Sequence, residues 1–142
     1  MAKHIDTLRA LIEAWGRLDI EGVLVHLHDD ITWNNSGGLR KPVQGKAAMR
    51  AALESMKGKI ADSKWRLFDW AEVGDTVWME GVDECIRKDG IRVAVPYAGV
   101  LEFEGKVIRK WREYFEGRLQ EKMLAGEGVS AEVEAMLDRP AA

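Results

Sequence analysis

Apolar residues recur at two different spacings along the chain, and the change between them separates a helical part from a strand-rich part. Before residue 60 the spacing is helical, with charged residues between the apolar ones. A short strand, Asp29 to Asn35, and a loop at 36–45 rich in Gly, Ser and Pro interrupt this pattern. The spacing predicts three amphipathic helices: Lys3 to Leu18, about Ile20 to Leu27 with Asp19 as N-cap, and Lys46 to Lys57.

From residue 63 onward apolar and polar residues alternate, which is the pattern of half-buried strands. Turn signals at Gly74-Asp75, Asp89-Gly90 and Glu104-Gly105 separate four long strand candidates: Ser63 to Val73, Thr76 to Arg87, Ile91 to Glu104 and Lys106 to Glu116. Such short connections require antiparallel neighbours. We therefore expect one α+β domain spanning 1–142, with helices packed on one face of a curved sheet and residues 117–142 as a partly helical C-terminal extension.

Composition narrows the class of protein. A chain of 142 residues that is 46% hydrophobic fits one globular domain, and a net charge of -3 with scattered basic residues gives no reason to expect nucleic acid. The N-terminus lacks the apolar core of a signal peptide, and no apolar run approaches membrane length, so we expect a cytoplasmic protein without a membrane partner. The single Cys85 excludes an internal disulfide and is expected to fill core volume. His26 and His28 have no third ligand at metal spacing, so no metal is expected.

Two acids fall on apolar strand faces. In the last strand candidate, Glu113 lies between Trp111 and Phe115 on one face. In the strand from Thr76 to Arg87, Asp83 shares its face with small and apolar residues: Val77, Met79, Gly81 and Cys85. An apolar setting favours the neutral form of a carboxyl group, and Gly81 is expected to open space beside Asp83. Asp83 is therefore expected to keep its proton at neutral pH.

An amide and a phenol are expected to join these acids. Asn35 shares a face with Ile31 and Trp33, and Tyr97 supplies the one hydroxyl of a neighbouring apolar strand face. Two carboxyl groups in unlike environments can act as acid and base at one pH. The alternative is that both acids lie on the outer face of the sheet and pair with arginines: Arg87, Arg109 and Arg112.

Two segments carry a resemblance to a known family. MEGVDECIRK at 79–88 and GVLEFEGKVIRKWREYFE at 99–116 resemble the limonene-1,2-epoxide hydrolases, within the superfamily similar to nuclear transport factor 2, ketosteroid isomerase and the SnoaL-like cyclases. The resemblance implies a cone: a curved, mixed but mainly antiparallel sheet with three helices around a deep apolar pocket. It also implies a homodimer and a reaction that needs no cofactor.

The resemblance further implies residue roles. Glu113 would activate a water held by Asn35, and Asp83 would protonate the oxygen of a small hydrophobic epoxide in a one-step hydrolysis. Departures from the family are Trp33 at a tyrosine position and Gly81 at the position of an arginine that bridges the acids. The residues expected to bind substrate are Trp33, Tyr97, Trp111, Met79 and Gly81. Two alternatives stay open: an isomerase or cyclase with Tyr97 or Asp83 as oxyanion donor, and a pocket that binds an apolar small molecule without catalysis.

Overall fold

Six strands form one mixed sheet in the order β2-β1-β6-β5-β4-β3. The structure is a computed structural model that describes residues 3–35, 38 and 40–142, so part of the loop predicted at 36–45 lies outside the described residues. The strands are β1 (Leu27–Asn34), β2 (Val43–Gln44), β3 (Ile60–Val73), β4 (Thr76–Arg87), β5 (Arg92–Glu104) and β6 (Val107–Tyr114). The helices are α1 (His4–Gly16), α2 (Ile20–Leu24), α3 (Lys46–Lys59), α4 (Gly117–Leu124) and α5 (Ala131–Met136).

The predicted meander is confirmed, because β3 to β6 pair as antiparallel neighbours in chain order. β1 pairs with β6 in parallel, which makes the sheet mixed. The Asp19 side chain accepts a hydrogen bond from the Gly22 amide, so the predicted N-cap of α2 is also confirmed. Glu72 of β3 accepts bonds from the amides of His4 and Ile5, which ties the start of α1 to the sheet.

The main core lies between the concave face of the sheet and α1–α3. The apolar stripe of α1 is buried there, as the helical spacing predicts: Ile5, Leu8, Leu11 and Trp15. Strict alternation fails at the start of β6, because Ile108 is buried in the same core as Trp111 while Arg109 contacts the Asp30 carbonyl and Glu104. A register shift between β5 and β6 at Glu102/Phe103 gives the physical reason.

Helices α4 and α5, in the C-terminal extension, pack mainly on a second core, although Gln120 of α4 also borders the cavity between the sheet and α1–α3. Val82 and Ala94, which alternate with Asp83 and Val95 along their strands, form a second core with residues of α4 and α5: Met123 and Val133. β6 pairs with β5 from Ala98 onward, and among the described residues no strand pairs with that edge of β5 before Ala98. α4 covers this edge, and the Ala94 amide contacts the Met123 sulfur at 3.2 Å.

Candidate active site

A cavity opens between the concave face of the sheet and helices α1–α3. Its volume is about 140 Å³, measured as the space open to the centre of a water molecule. Helices contribute Leu11, Trp15, Val23, Leu53, Met56 and Gln120, and the sheet with its flanking residues contributes Trp33, Asn35, Ile60, Ser63, Trp65, Asp83, Cys85, Val93, Val95, Tyr97, Trp111, Glu113 and Phe115. Both acids therefore face the cavity, and the alternative of an outer-face position with arginine partners is wrong.

Three indole rings form the floor of this cavity. Trp65 of β3 stacks on Trp111 of β6, with centroids 5.6 Å apart and planes 10° from parallel. Trp33 of β1 tilts against Trp111 with centroids 5.5 Å apart. The sheet is so strongly curved that β3 and β6, which are three strands apart in the sheet order, touch through these rings. We call Trp33, Trp65 and Trp111 the aromatic floor.

Glu113 lies two residues beyond Trp111 on the same side of β6. The Trp111 indole N–H donates to the Glu113 carboxyl oxygen at 2.8 Å. The parallel register pairs Trp33 with Trp111 and Asn34 with Arg112, and the next residue on each strand, Asn35 and Glu113, lines the cavity. The structure thus brings Glu113, Asn35 and Trp33 together, as the sequence predicts.

Asp83 lies on β4 and is separated from Glu113 by β5. Burial raises the pKa of Asp83 to about 6. Burial, and to a smaller extent the nearby Asp83 charge, raise the pKa of Glu113 to about 8, while the Trp111 hydrogen bond opposes the shift. Both pKa values are raised, so the coupled pair holds one proton between its two carboxyl groups near neutral pH.

Tyr97 is on the cavity wall, but its hydroxyl is already engaged. The oxygen accepts a hydrogen bond from the Trp65 indole at 2.7 Å and donates its proton to the Arg66 carbonyl at 2.8 Å. Burial raises the pKa of Tyr97, so the phenol stays neutral. Its one proton is bound to the backbone, which makes the predicted role of Tyr97 as an oxyanion donor wrong.

Two predicted substrate-binding residues are not among the described residues that line the cavity. Gly81 does not open space: a Cβ atom there would lie 1.8 Å from the Arg66 carbonyl oxygen and 2.7 Å from the Tyr97 hydroxyl. An arginine at this position is excluded by the backbone of β3. The prediction that Met79 binds substrate is also wrong, because its side chain packs in the core against Gly99.

Ser63 is a polar cavity residue that the sequence analysis missed. It is 5% exposed and precedes Trp65 by two residues, so it shares the cavity face of β3. The same alternation that placed Asp83 would have found it, but a serine at a predicted strand start reads as a solvent-facing residue.

No group of three His, Cys, Asp or Glu side chains is arranged to bind a metal within residues 3–35, 38 and 40–142. Over the same residues, no helix has the length and apolar character needed to cross a membrane. The polar side chains among the described residues that line the cavity include carboxyl, amide, indole and hydroxyl groups.

Comparison with known proteins places the chain in a family. The SnoaL-like domain matches residues 8–111, and the chain belongs to this family. No curated protein matches the sequence. The fold is the cone of the nuclear transport factor 2-like proteins.

Solved structures show what the chain is similar to. An LEH-like epoxide hydrolase from M. tuberculosis is 25% identical with a TM-score of 0.76, over 93% of this chain and 96% of that one. A putative SnoaL-like polyketide cyclase from Shewanella denitrificans OS-217 is 14% identical with a TM-score of 0.77, over 87% and 97%. A protein with a ketosteroid isomerase-like fold from Catenulispora acidiphila is 20% identical with a TM-score of 0.73, over 88% and 94%. The last two comparisons concern the fold alone.

Proposed function

We propose that this protein adds water to a small hydrophobic epoxide in one step, by general acid–base catalysis and without a cofactor. The observation that carries the proposal is a pair of buried carboxyl groups on one cavity wall whose pKa values, about 6 for Asp83 and about 8 for Glu113, leave one proton between them. Epoxide opening needs one acid and one base at the same pH. The likeness to an LEH-like epoxide hydrolase supports this choice among the activities of the family.

We assign the shared proton to Glu113, the group with the higher pKa, which exchanges the two roles that the resemblance implies. Neutral Glu113 protonates the ring oxygen as its bond to carbon breaks, while ionised Asp83 removes a proton from the water that bonds to carbon. The Trp33 indole N–H, which has no partner among the described residues, is a donor for the same ring oxygen. Asn35, alongside Glu113, adds an amide donor there. The product is a diol, and the proton returns from Asp83 to Glu113 through solvent.

Turnover of racemic limonene-1,2-epoxide to the diol tests the proposal. General acid–base help contributes about 10²–10⁴-fold, so Asp83→Asn and Glu113→Gln should each lose activity in that range. In ¹⁸O-labelled water a single turnover should place the label in every diol molecule, because no enzyme oxygen enters the product. Full activity of Asp83→Asn would refute the mechanism.

The pH profile is a second test. Activity should fall below about pH 6, where Asp83 becomes protonated, and above about pH 8, where Glu113 loses its proton. These limbs belong to the coupled pair, so each variant should leave one limb, that of the remaining carboxyl group. In Asp83→Asn this limb should lie below pH 8, because the Asp83 charge that helps to raise the pKa of Glu113 is gone.

A second candidate function is isomerisation at a carbon next to a carbonyl. The observation that favours it is the separation of donors from base: neutral Glu113 and the Trp33 N–H at one position, and ionised Asp83 at the other. Such a site can hold an enolate oxygen while the carboxylate moves a proton. Conversion of a β,γ-unsaturated cyclic ketone to its conjugated isomer, with no turnover of epoxides, would replace the first proposal with this one.

We also propose that the chain forms a homodimer through the outer face of the sheet. Trp78 and Tyr114 are exposed on β4 and β6, and the register places Val100 of β5 beside Trp78. Exposed aromatic side chains of this size favour a protein partner. Light scattering should give twice the chain mass, and Trp78→Lys should shift it toward the monomer. A monomeric wild-type protein at micromolar concentration would contradict this.

A further inference from the structure

Two buried polar atoms have no hydrogen-bond partner among the described residues, and both belong to residues of the cavity wall. They are the Ser63 hydroxyl oxygen and the Trp33 indole nitrogen. Ser63 is 5% exposed and Trp33 is 6% exposed. Buried polar groups in native proteins are almost always bonded, because an unpaired one has lost its water without replacement. Both residues line one cavity, and the Ser63 hydroxyl can turn toward it about the Cα–Cβ bond, so a bound molecule can supply a missing partner.

Tyr97 shows that a polar group with a purely structural role on this wall does find hydrogen-bond partners. The Tyr97 hydroxyl, on the same face of the sheet and equally buried, both accepts from Trp65 and donates to Arg66. Ser63 lies two residues from Trp65 on the same strand and has neither kind of bond. A structural serine would be expected to find a backbone partner as Tyr97 does.

The two unpaired groups lie at opposite ends of the aromatic floor. Trp33 belongs to β1 and Ser63 to β3, which lie toward opposite edges of the curved sheet. Ser63 is directly opposite Cys85, and Trp65 is directly opposite Asp83, so Ser63 is a diagonal neighbour of Asp83. Glu113 is at the Trp33 end. A ligand over the floor therefore has the reacting oxygen at one end and Ser63 beyond Asp83 at the other.

The chemistry of the two groups defines the ligand. An indole N–H only donates, so its partner is an oxygen acceptor, whereas a serine hydroxyl donates and accepts and turns about one side-chain bond. The other residues near Ser63 on this wall, Cys85 and Val93, offer only a weakly bonding thiol and an aliphatic group. Burial raises the pKa of the Cys85 thiol to about 11, so it stays neutral. Ser63 is thus the strong hydrogen-bonding group beyond Asp83.

We propose that Ser63 binds a second oxygen of the substrate, so that the substrate is an apolar molecule with two oxygen functions. One is the reacting oxygen at Glu113 and Trp33, and the other is a hydroxyl, carbonyl or ether oxygen held by Ser63. The inference rests on the proposed function only in that the cavity binds substrate; it holds for hydration and for isomerisation alike.

Binding of matched ligands tests the inference without requiring turnover. Menthol and p-menthane-3,8-diol share one carbon skeleton and differ by one hydroxyl; 1-octanol and 1,8-octanediol are a flexible pair. Quenching of the aromatic-floor fluorescence reports occupancy. After correction for the lower hydrophobicity of the diol, wild type should favour the diol in at least one pair. Ser63→Ala should weaken diol binding by about 3- to 10-fold and change binding of the mono-alcohol less than about 2-fold.

Cys85→Ala is the matched control, because it trims the directly opposite cavity residue without removing an oxygen. It should change both ligands of a pair by the same factor, and Ser63→Thr should keep the diol preference. The inference is overturned if wild type shows no diol preference in either pair, or if Ser63→Ala and Cys85→Ala alter the preference equally.

Thermal unfolding of the ligand-free protein separates a binding role from a structural one. Ser63→Ala removes an unpaired buried hydroxyl and should leave the melting temperature unchanged or raised. Tyr97→Phe removes a fully bonded hydroxyl and should lower it. A lower melting temperature for Ser63→Ala would show that its hydroxyl supports the fold, and would overturn the inference. Epoxide turnover is measured separately. A wild-type protein that prefers diols but does not turn over epoxides would contradict the proposed reaction and still support the Ser63 site.

Discussion

Two glutamates of this protein are similarly withdrawn from water but lie on opposite faces of the sheet. Glu84, 5% exposed, faces outward and bonds to Arg66 at 2.6 Å and to Arg92 at 2.5 Å. Glu113, 8% exposed, faces the cavity with one indole N–H as its bonded donor. Burial on its own would raise both pKa values, yet the two arginines lower the pKa of Glu84, whereas that of Glu113 is raised.

The difference teaches that burial alone does not decide what a carboxyl group does. With two guanidinium partners, Glu84 stays ionised and links β3, β4 and β5; Arg92 extends the network to Glu134 of α5. Without a cation, Glu113 shares one proton with Asp83. The first arrangement supports the fold, and the second is suited to moving a proton.

The largest expected effect is on catalysis. Asp83→Asn should lower epoxide turnover by about 10²–10⁴-fold, because it removes the ionised member of the pair. Glu84→Gln, an isosteric change at the adjacent residue on the opposite face, should keep turnover within about 3-fold when measured well below its melting temperature. Equal losses in the two variants would contradict the view that the cavity face carries the catalytic carboxyl groups and the outer face supports the fold.

Gly81→Ala should have the next largest effect, on stability. A Cβ atom at this position would meet the Arg66 carbonyl oxygen at 1.8 Å, so β3 and β4 would have to separate. We expect a loss of about 2–3 kcal/mol in the free energy of unfolding, measured by urea denaturation. Gly58→Ala is the control, since a Cβ there meets nothing within 4 Å and alanine favours a helix. A Gly81→Ala variant as stable as wild type would contradict the close approach of β3 to β4 at this position.

Replacing each glutamate by glutamine should change stability in opposite directions at neutral pH. Glu84→Gln leaves Arg66 without a counter-charge and Arg92 with Glu134 alone, and should cost about 1–2 kcal/mol, a value reduced because both arginines are about one-third exposed. Glu113→Gln removes a group that resists ionisation and should be neutral or stabilising. Urea denaturation of both variants beside wild type checks this, and destabilisation by both would break the contrast.

The smallest expected effect is a difference in pH dependence. Glu113 has a folded-state pKa of about 8 against an ordinary value of 4.5, so the stability it contributes is complete below pH 4.5 and lost as the pH rises to 8. The pKa of Glu84 is lowered, so its contribution is present above pH 4.5 and lost as the pH falls. The melting temperature of wild type should therefore fall toward pH 8, and that of Glu113→Gln should not. Toward acid pH the melting temperature of Glu84→Gln should fall less than that of wild type.

Alternation along single strands predicts the fold class and places each acid on an apolar strand face, but it leaves open which face of the sheet borders the cavity. Asp83 lies in a long strand and Glu113 lies beyond the irregular start of β6, where each residue again fixes the face of the next. Asn35 and Trp33 were found by the same rule on β1. These predictions succeed because the period of a strand is a local property.

The failures concern distances between strands. The space beside Gly81 is filled by the Tyr97 hydroxyl and the Arg66 carbonyl, because β3 approaches β4 closely at this point. The pattern of a single strand does not reveal this approach. That Asp83 and Glu113 share one proton depends on their coupling across β5, which the pattern of a single strand does not reveal. Ser63 could have been found from its spacing to Trp65, but its lack of a bonding partner is a three-dimensional property.

The cover that α4 gives to β5 has a consequence for synthesis on the ribosome. Arg92 to Tyr97 are made well before Gly117–Leu124, so a nascent chain released or stalled at Tyr114 would present a bare strand edge together with an unfinished cavity wall. Such an intermediate can pair with other copies of itself until the last helix-forming residues emerge. Helix α4, which contributes to the cavity wall, is thus also the segment that protects the nascent chain from aggregation.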